Sequence, residues 1–434
     1  MTPQTTFMIT APIDVSKEAA LRELLASMNP LPGMADPTNS LVPFHQFSRL
    51  HVARFVIIEA LTNDDIRAHD EEPAYWPPTL GFIGDIDGRE DTFLAELAVR
   101  AWPGLRQIFA HCLGFDPEQT NLLAWMRQNS RRPTANYINW RGRTVIQVHE
   151  ERALAEALRG RLPKALGESV NGDSQAIRRH LVEFAQGELA AKRLRLTPPE
   201  RTPPGWWLCN LLHLVGVPLA LLVLSPLIFI GLPFYAFHLR TLEKSDPENT
   251  RRPDRAHLKR ITRQEDFLFT NQFNVFGQVK PGRFRRYTIR ALLLVLDYAA
   301  RHVYKRGYLT RIRTIHFARW VLLDDDRRVY FASNYDGSAE SYMDDFINKV
   351  AWGLNLVFSN GVGYPRTRWL IKGGAEFEGK YKRTLRRNQF PSESWYIAYP
   401  GLSAVDLARN SRIREGLEAR GPRDADVRAW LSLI

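Results

Sequence analysis

The chain has 434 residues, which predicts two or three domains at about 100–200 residues per domain. Its 44% hydrophobic and 24% charged residues exclude disordered and fibrous classes, and two cysteines exclude a disulfide framework and a cysteine-rich metal site. The net charge of +12 predicts an anionic partner. The first residues form neither a basic region nor an apolar run, so we expect no signal peptide and a cytoplasmic-side location.

Residues 1–160 form the first predicted unit, and residues 311–434 repeat it. The segments 82–115 and 331–364 align without a gap at a constant offset of 249. In both, two strand-like runs lead to an Asp-Gly turn, and apolar residues at helical spacing follow. This order is typical of a ferredoxin-like module. We predict an α+β fold in which two ferredoxin-like repeats form a pseudo-dimeric α/β barrel.

A helical linker is predicted for residues 161–201, and an apolar segment follows in residues 202–239. No Asp, Glu, Lys or Arg lies between Arg201 and Arg240. A helix of about 20 such residues spans the hydrocarbon of a bilayer, and tryptophans at one end resemble an interfacial belt. The alternative is a buried core helix. We predict a membrane-associated segment.

The repeat restricts how this segment meets a membrane. Two halves that pack together lie on the same side of a bilayer, so a single crossing is excluded if they do. Three prolines argue against one straight helix, and we expect a hairpin that bends near Pro226. Basic residues flank the segment on both sides, which favours the cytoplasmic side of the inner membrane. The protein is predicted to be peripheral or monotopic.

Residues 240–310 form a predicted basic connector. From Arg240 to Arg313 there are 18 Lys and Arg against 7 Asp and Glu. Within this stretch, residues 283–308 predict an amphipathic helix with arginines around an apolar centre, which is typical of a helix on anionic lipid. The stretch has no zinc spacing, no helix-turn-helix pattern and no RNP-like strand, so we predict no nucleic acid partner.

Polar residues of the second copy are the main candidates for a site. His316, Arg319, Asn334 and Asp336 lie on or after its strands, and Asp87 is the counterpart of Asp336. His316 and Arg319 face one cavity only if their strand bulges. The alternatives are that the aspartates cap helices and that the histidines are hydrogen-bonded core residues.

Two further arginines follow the helix of the second copy. Arg366 and Arg368 belong to the run YPRTRW. Such a pair in a loop after a helix is suited to neutralise an anionic group, such as a haem propionate or a lipid head. We therefore include both arginines among the candidate site residues.

The run Gly84–Gly88, GDIDG, resembles the G-x-x-D-G motif of the dye-decolorising peroxidases, which are haem proteins. The wider pattern also resembles an uncharacterised bacterial family grouped with them. The resemblance implies haem, with His316 as iron ligand, Asp336 or Asp87 as proton shuttle, and Arg319 or Arg368 stabilising negative charge. The second copy keeps only the Asp-Gly of the motif.

Three functions remain open at this point. The first is a membrane-bound, haem peroxidase-like oxidoreductase that acts on an apolar or lipid-derived substrate. The second is a non-enzymatic protein that binds lipid or serves as a scaffold. The third is a cofactor-free barrel enzyme that uses the polar cluster of the second copy.

Overall fold

The computed structural model describes residues 1–168, 173–266, 268–304, 309 and 312–434. Its fold is mixed α/β with antiparallel sheets. The strands are β1 (Gln4–Pro12), β2 (Leu50–Ile58), β3 (Thr79–Asp87), β4 (Ala135–Ile138), β5 (Thr270–Gln278), β6 (Ile315–Leu323), β7 (Arg328–Asp336), β8 (Thr367–Arg368), β9 (Lys372–Gly373) and β10 (Ser394–Ile397). The helices are α1 (Glu18–Ala26), α2 (Asn63–Arg67), α3 (Glu90–Arg100), α4 (Trp102–Phe109), α5 (Leu122–Gln128), α6 (Val145–Glu168), α7 (Ser174–Ala190), α8 (Pro204–Ser245), α9 (Arg255–Thr262), α10 (Arg283–Tyr298), α11 (Ala339–Phe358), α12 (Glu378–Asn388), α13 (Ala404–Glu418) and α14 (Asp424–Leu431).

The two four-stranded sheets exchange their last strands. The strand orders are β1-β3-β2-β10 and β4-β6-β7-β5. Thus β10 from the end of the chain pairs with β2, and β4 pairs with β6. The exchange joins the two halves of the molecule by strand hydrogen bonds as well as by packing.

Corresponding elements follow in the same order in both halves. The first half runs β1, α1, β2, β3, α3, α4, β4 and α6, and the second runs β5, α10, β6, β7, α11, β10 and α13. Helix α11 contains one non-helical residue, Val350, with φ of −145°. Its counterpart at the offset of 249 is Ala101, which separates α3 from α4. The segments aligned by sequence therefore have the same secondary structure.

The second half begins earlier than the sequence analysis predicts. Strand β5 and helix α10 lie inside the predicted connector 240–310, so this half starts at Thr270 rather than at residue 311. The sequence of this strand, TNQFNVFGQ, does not have the apolar pattern that predicts a strand, because it carries buried polar residues, including Asn271 and Asn274. The predicted linker 161–201 holds the end of α6 and all of α7.

Both sheets are buried on both faces. Met8, Val56 and Ile83 of one sheet pack against Val321 and Tyr330 of the other in an inner apolar layer. Helices cover the outer faces. This burial accounts for the nearly continuous apolar run of a strand such as β2, LHVARFVII, since neither face is left to water.

The apolar segment is one helix and not a hairpin. Helix α8 is continuous over 42 residues and contains Pro218, Pro226 and Pro233. The expected bend at Pro226 is therefore wrong. The φ of proline is compatible with a helix, so each proline removes one backbone hydrogen bond without reversing the chain.

Helix α8 contacts the rest of the molecule at both ends. His213, near the start, lies 2.8 Å from His302 through ring nitrogens, and Tyr235 donates to Thr288 Oγ1 at 3.3 Å. At its end, the carboxylate of Glu243 is fully buried. Within the described ranges, α8 is the one helix long and apolar enough to cross a membrane, by length and composition. The apolar window of α8 has none of its residues buried.

Candidate functional site

Two histidine–aspartate pairs lie near each other beneath helices α6 and α13. In the first half, His51 Nε2 lies 3.0 Å from Asp87 Oδ1. In the second half, His316 Nε2 lies 2.7 Å from Asp336 Oδ1. Tyr399 links the halves, because its hydroxyl lies 3.1 Å from His51 Nδ1 and its ring lies 6.4 Å from that of His316. The structure thus brings together His316, Asp336 and Asp87 of the candidate residues.

A bulge in each strand turns these histidines inward. The pairing of β2 with β3 shifts between Leu50 and Val52, and the pairing of β6 with β7 shifts between Ile315 and Ala318. One extra residue in a strand restores the same face to positions three apart. The condition for His316 and Arg319 to share a face is therefore met, and both are buried.

Both aspartates also cap helices. The backbone N–H of Val145, at the start of α6, donates to Asp87 Oδ2 at 2.9 Å. That of Ala404, at the start of α13, donates to Asp336 Oδ2 at 2.7 Å. A carboxylate is stabilised there by the unpaired N–H groups and the helix dipole. The capped helices are distant in sequence and are not those that directly follow the Asp-Gly turns.

Two arginines join the sheets across the inner layer. Arg54 donates to Asn274 Oδ1 at 2.9 Å and binds the side chain of Asn334, whereas Arg319 binds the carboxylate of Asp85. Asp85 and Asn334 occupy aligned positions, so each arginine contacts the same position of the opposite half. Arg319 and Asn334 are 1% and 0% exposed. These two candidates hold the sheets together.

The two arginine contacts differ in charge. Arg319 faces a carboxylate, whereas Arg54 contacts amide side chains and the backbone oxygens of Phe273 and Ser333. Burial lowers the pKa of Arg54 to about 10, because the charged form loses water without a directly bonded carboxylate in return. Arg54 nevertheless stays protonated at neutral pH.

The geometry at His316 does not fit haem. Its Nε2 is engaged by Asp336, and the space beside the two histidines measures about 20 Å³. That volume suits about one water molecule, which needs roughly 10–15 Å³. Among the described residues, no group of three or more His, Cys, Asp or Glu side chains is arranged to hold a metal ion.

Arg366 and Arg368 lie elsewhere, on the exposed hairpin of β8 and β9. Arg366 Nε donates to the backbone oxygen of Asp246 at 2.6 Å, just beyond α8. The same hairpin binds Glu243 through the backbone N–H of Leu370 at 2.8 Å. Arg366 thus helps to attach α8, and both arginines lie apart from the histidine–aspartate pairs.

An apolar cavity of about 180 Å³ lies in the second half, between α10, α11 and the sheet. Phe273 and Phe331 form its floor on the strands, and Leu296 and Leu354 are among its helical walls. Its lining is almost entirely apolar. Val295 lines the cavity and is 59% exposed, so the cavity borders the molecular surface at α10.

A second hollow is polar and lies between the edge strands β1 and β4 of the two sheets. This arginine cleft, of about 450 Å³, is lined by Gln4, Thr5, Thr6, Arg89, Glu90, Asp91, Arg132, Pro133, Asn136, Ile138, Arg141, Trp206, Asp297 and Arg301. Its arginines are not among the candidate residues that the sequence indicates. A comparison of the aligned turns would have found two of them, since Arg132 and Arg141 stand where the second half has Pro391 and Pro400.

No protein-family model matches the chain, and no curated protein matches it significantly. The chemistry of the protein must therefore be inferred from its geometry. Four features of the described residues are relevant: the histidine–aspartate pairs, the arginine contacts, the apolar cavity and the arginine cleft.

Proposed function

We propose that the protein lies on a membrane surface without crossing it and holds an apolar ligand, such as part of an acyl chain, in the cavity between α10 and α11. The observation that carries this proposal is the position of that cavity. It borders the exposed apolar side of α10, which contacts α8 twice: Tyr298 of α10 donates to the backbone oxygen of Leu214, and Tyr235 of α8 donates to Thr288. We do not propose a haem-based oxidoreductase, because the space beside His316 is too small for haem.

The exposure of α8 supports membrane association. Its large apolar side chains face outward, with Leu222 69%, Phe229 73% and Phe234 76% exposed. Removing one such side chain from water contributes about 1.5–3 kcal/mol. A helix of this kind needs an apolar environment, and the bilayer supplies it. Basic flanks at Arg201 and Arg240 favour the cytoplasmic face of an inner membrane.

The contacts of α8 favour a helix in the plane of the membrane. A perpendicular crossing would carry α10 into the hydrocarbon, because α10 contacts α8 at both Leu214 and Tyr235. The surface of α10 includes Arg290, which is paired with Asp326. Placing an arginine at the bilayer centre costs about 2.5–3.5 kcal/mol or more. In the plane, α8 enters the apolar region and the arginine stays at the polar surface.

The size of the cavity indicates the ligand. An apolar cavity of about 150 Å³ binds benzene, so about 180 Å³ accepts one ring or a short stretch of acyl chain. We also infer that the two halves are ferredoxin-like repeats closed into one barrel. The equal order of elements and the reciprocal strand exchange support this inference.

The ligand is tested with benzene, a single-ring apolar probe of a size that the cavity accepts, by calorimetry with the full chain in detergent. Val357 lines the cavity and Asn348 is exposed on the same helix. We expect wild type and Asn348→Phe to bind benzene alike, and Val357→Phe to bind at least about tenfold more weakly, because the added ring occupies the cavity. Equal binding by all three proteins, or none by wild type, would overturn the ligand assignment.

Membrane association is tested by flotation with neutral phosphatidylcholine vesicles. The variant Leu222→Asp/Phe229→Asp places two charges on α8, and Tyr75→Asp/Val99→Asp places two on other exposed apolar residues. We expect only the first variant to stop floating. Wild type that stays in the soluble fraction contradicts the proposal.

Orientation is tested by thiol labelling in sealed vesicles. Gly205→Cys and Ser245→Cys, each in a Cys209→Ser background, mark the two ends of α8. A membrane-impermeant reagent added from one side should label both ends or neither. Labelling of one end alone from that side would show a crossing.

A further inference from the structure

The arginine cleft lies where the edge strands of the two sheets approach each other. β1 and β4 are edge strands, and the chain between Asn129 and Ala135 passes from one to the other. Trp206, at the start of α8, closes one side. Tryptophan at the end of an apolar helix is typical of the headgroup level of a bilayer. The cleft therefore adjoins the end of the helix proposed to enter the membrane.

Positive charge in this cleft is not balanced. Four arginines and three acidic residues line it. Asp91 is paired with Arg127 outside the lining, and Glu90 accepts from the hydroxyl of Ser130. Arg89 and Arg132 have no ion pair among the described residues. Counting Arg127, five arginines stand against three carboxylates, which is an excess of two positive charges.

The other two arginines share one carboxylate. Arg301 lies 3.1 Å from Asp297, while Arg141, within the part of the chain that the structure describes, donates to the backbone oxygen of Arg301 alone, at 3.4 Å. Burial, followed by the neighbouring Arg301 guanidinium, lowers the pKa of Arg141. A bound anion would relieve this repulsion between adjacent guanidinium groups.

The corresponding place in the second half is closed. Asn271 and Gln272 stand where the cleft has Thr5 and Thr6, and the remaining space is about 10 Å³. Trp395 fills the position of Asn136, with its ring 4.9 Å from the Arg54 guanidinium. The counterparts of Arg89, Arg132 and Arg141 are Ser338, Pro391 and Pro400. The open cleft and its arginines therefore occur at the same edge, and the corresponding edge of the second half has neither.

We propose that the arginine cleft binds a phosphate group, which its arginines grip in bidentate fashion. We expect the ligand to carry a hydroxyl group close to its phosphate. The buried Oδ1 of Asn136 has no hydrogen-bond donor among the described residues, and such a hydroxyl would donate to it. On the membrane, the source is the headgroup of an anionic phospholipid; this part rests on the proposed function. Free phosphate esters present the same chemistry in solution.

The site is tested first without a membrane. Full-length protein in neutral detergent is titrated with inorganic phosphate and with glycerol 3-phosphate by calorimetry. Arg132→Gln/Arg141→Gln removes two arginines, and Arg131→Gln removes an exposed neighbour outside the cleft. Asn136→Trp copies the closed counterpart. We expect wild type and Arg131→Gln to bind alike, and the other two variants to lose binding.

The second arm uses vesicles of phosphatidylcholine alone or with phosphatidic acid. At about fivefold per arginine, the double variant should lose roughly 25-fold in affinity for the acidic vesicles and keep its affinity for the neutral ones. Phosphate binding in solution without this difference would assign the cleft to a soluble phosphate ester. No binding in solution and equal affinity of the variants for vesicles would overturn the site. Failure to bind neutral vesicles would instead count against the proposed membrane function.

Discussion

In the first half of the molecule, the chain between α1 and β2 folds over helix α4 and fills the space above the sheet. Met28, Leu41, Phe44 and Phe47 from this segment are buried in the core. In the second half, the connection between β5 and β6 contains helix α10 instead, and the cavity of about 180 Å³ remains beneath it. The two halves thus share their order of elements, but the core of the first half is filled and the core of the second contains a cavity.

The edges of the sheets show the opposite difference. The edge between β1 and β4 is open and holds the arginine cleft, whereas Trp395 closes the edge between β5 and β10. The histidine–aspartate pairs and the arginine contacts occur in both halves. Features that occur twice join sheets and cap helices, so they belong to the architecture. The hollows occur once each, and they are the better candidates for function.

The largest expected effect comes from making the two arginine contacts alike. Asp85→Asn gives Arg319 the amide partner that Arg54 has in Asn334. Removing one member of a buried ion pair costs about 3–5 kcal/mol, and we expect the free energy of unfolding to fall by that amount in urea titrations. The added exchange Asn334→Asp should restore part of it. A loss below about 1 kcal/mol for Asp85→Asn would contradict this role.

A second effect depends on pH. Burial raises the pKa of Glu151, on α6, to about 7 from an ordinary 4.5, although Arg143 lies 3.2 Å away. The folded state then keeps a proton that the unfolded state has released. Stability from this group is complete below pH 4.5 and falls by on the order of 3 kcal/mol as the pH rises to 7.

The counterpart of Glu151 on α13 is the neutral Asn410. Glu151→Gln should therefore remove the decline in stability between pH 4.5 and 7. The matched control Glu156→Gln changes an exposed residue on the same helix and should leave the decline in place. Unfolding titrations at several pH values measure both. Parallel curves for wild type and Glu151→Gln would show that the arginines, rather than burial, control this carboxyl.

The sequence predicted those parts of the fold that depend on local pattern. The runs of β2 and β6, the Asp-Gly turns and the helices after them follow from apolar periodicity over short windows. For His316 and Arg319 the sequence set only the condition that their strand bulges, and the bulge itself was not predicted. Strand β5 did not, because buried Asn274 is satisfied only by distant partners such as Arg54 and Tyr330.

Two other features, the continuous α8 and the arginine cleft, were not predicted, for different reasons. The hairpin at Pro226 was predicted because two packed halves must lie on one side of a bilayer and because proline disfavours helix interiors, whereas α8 is continuous. The arginine cleft was missed because Arg89, Arg141 and Arg301 meet only after strand exchange brings β4 beside β6. Predicting the cleft required knowledge of which distant segments are neighbours.

The smallest expected effect compares one glycine in each half. A methyl group on Gly104 would overlap the backbone of Leu41, part of the segment that fills the first half. On the aligned Gly353 it would approach only the Val350 side chain, at 2.9 Å. Overpacking against backbone costs about 1–3 kcal/mol, whereas alanine improves a helix by up to about 1 kcal/mol over glycine.

Gly104→Ala should therefore lower the free energy of unfolding by about 1–3 kcal/mol, and Gly353→Ala should change it by less than about 1 kcal/mol. Urea titrations of the two variants measure the difference. The ligand probe provides a second comparison, because Gly353 lines the apolar cavity and Gly104 does not. Gly353→Ala should weaken probe binding while the protein stays as stable as wild type. Equal destabilisation by both substitutions would mean that the second half is as tightly filled as the first.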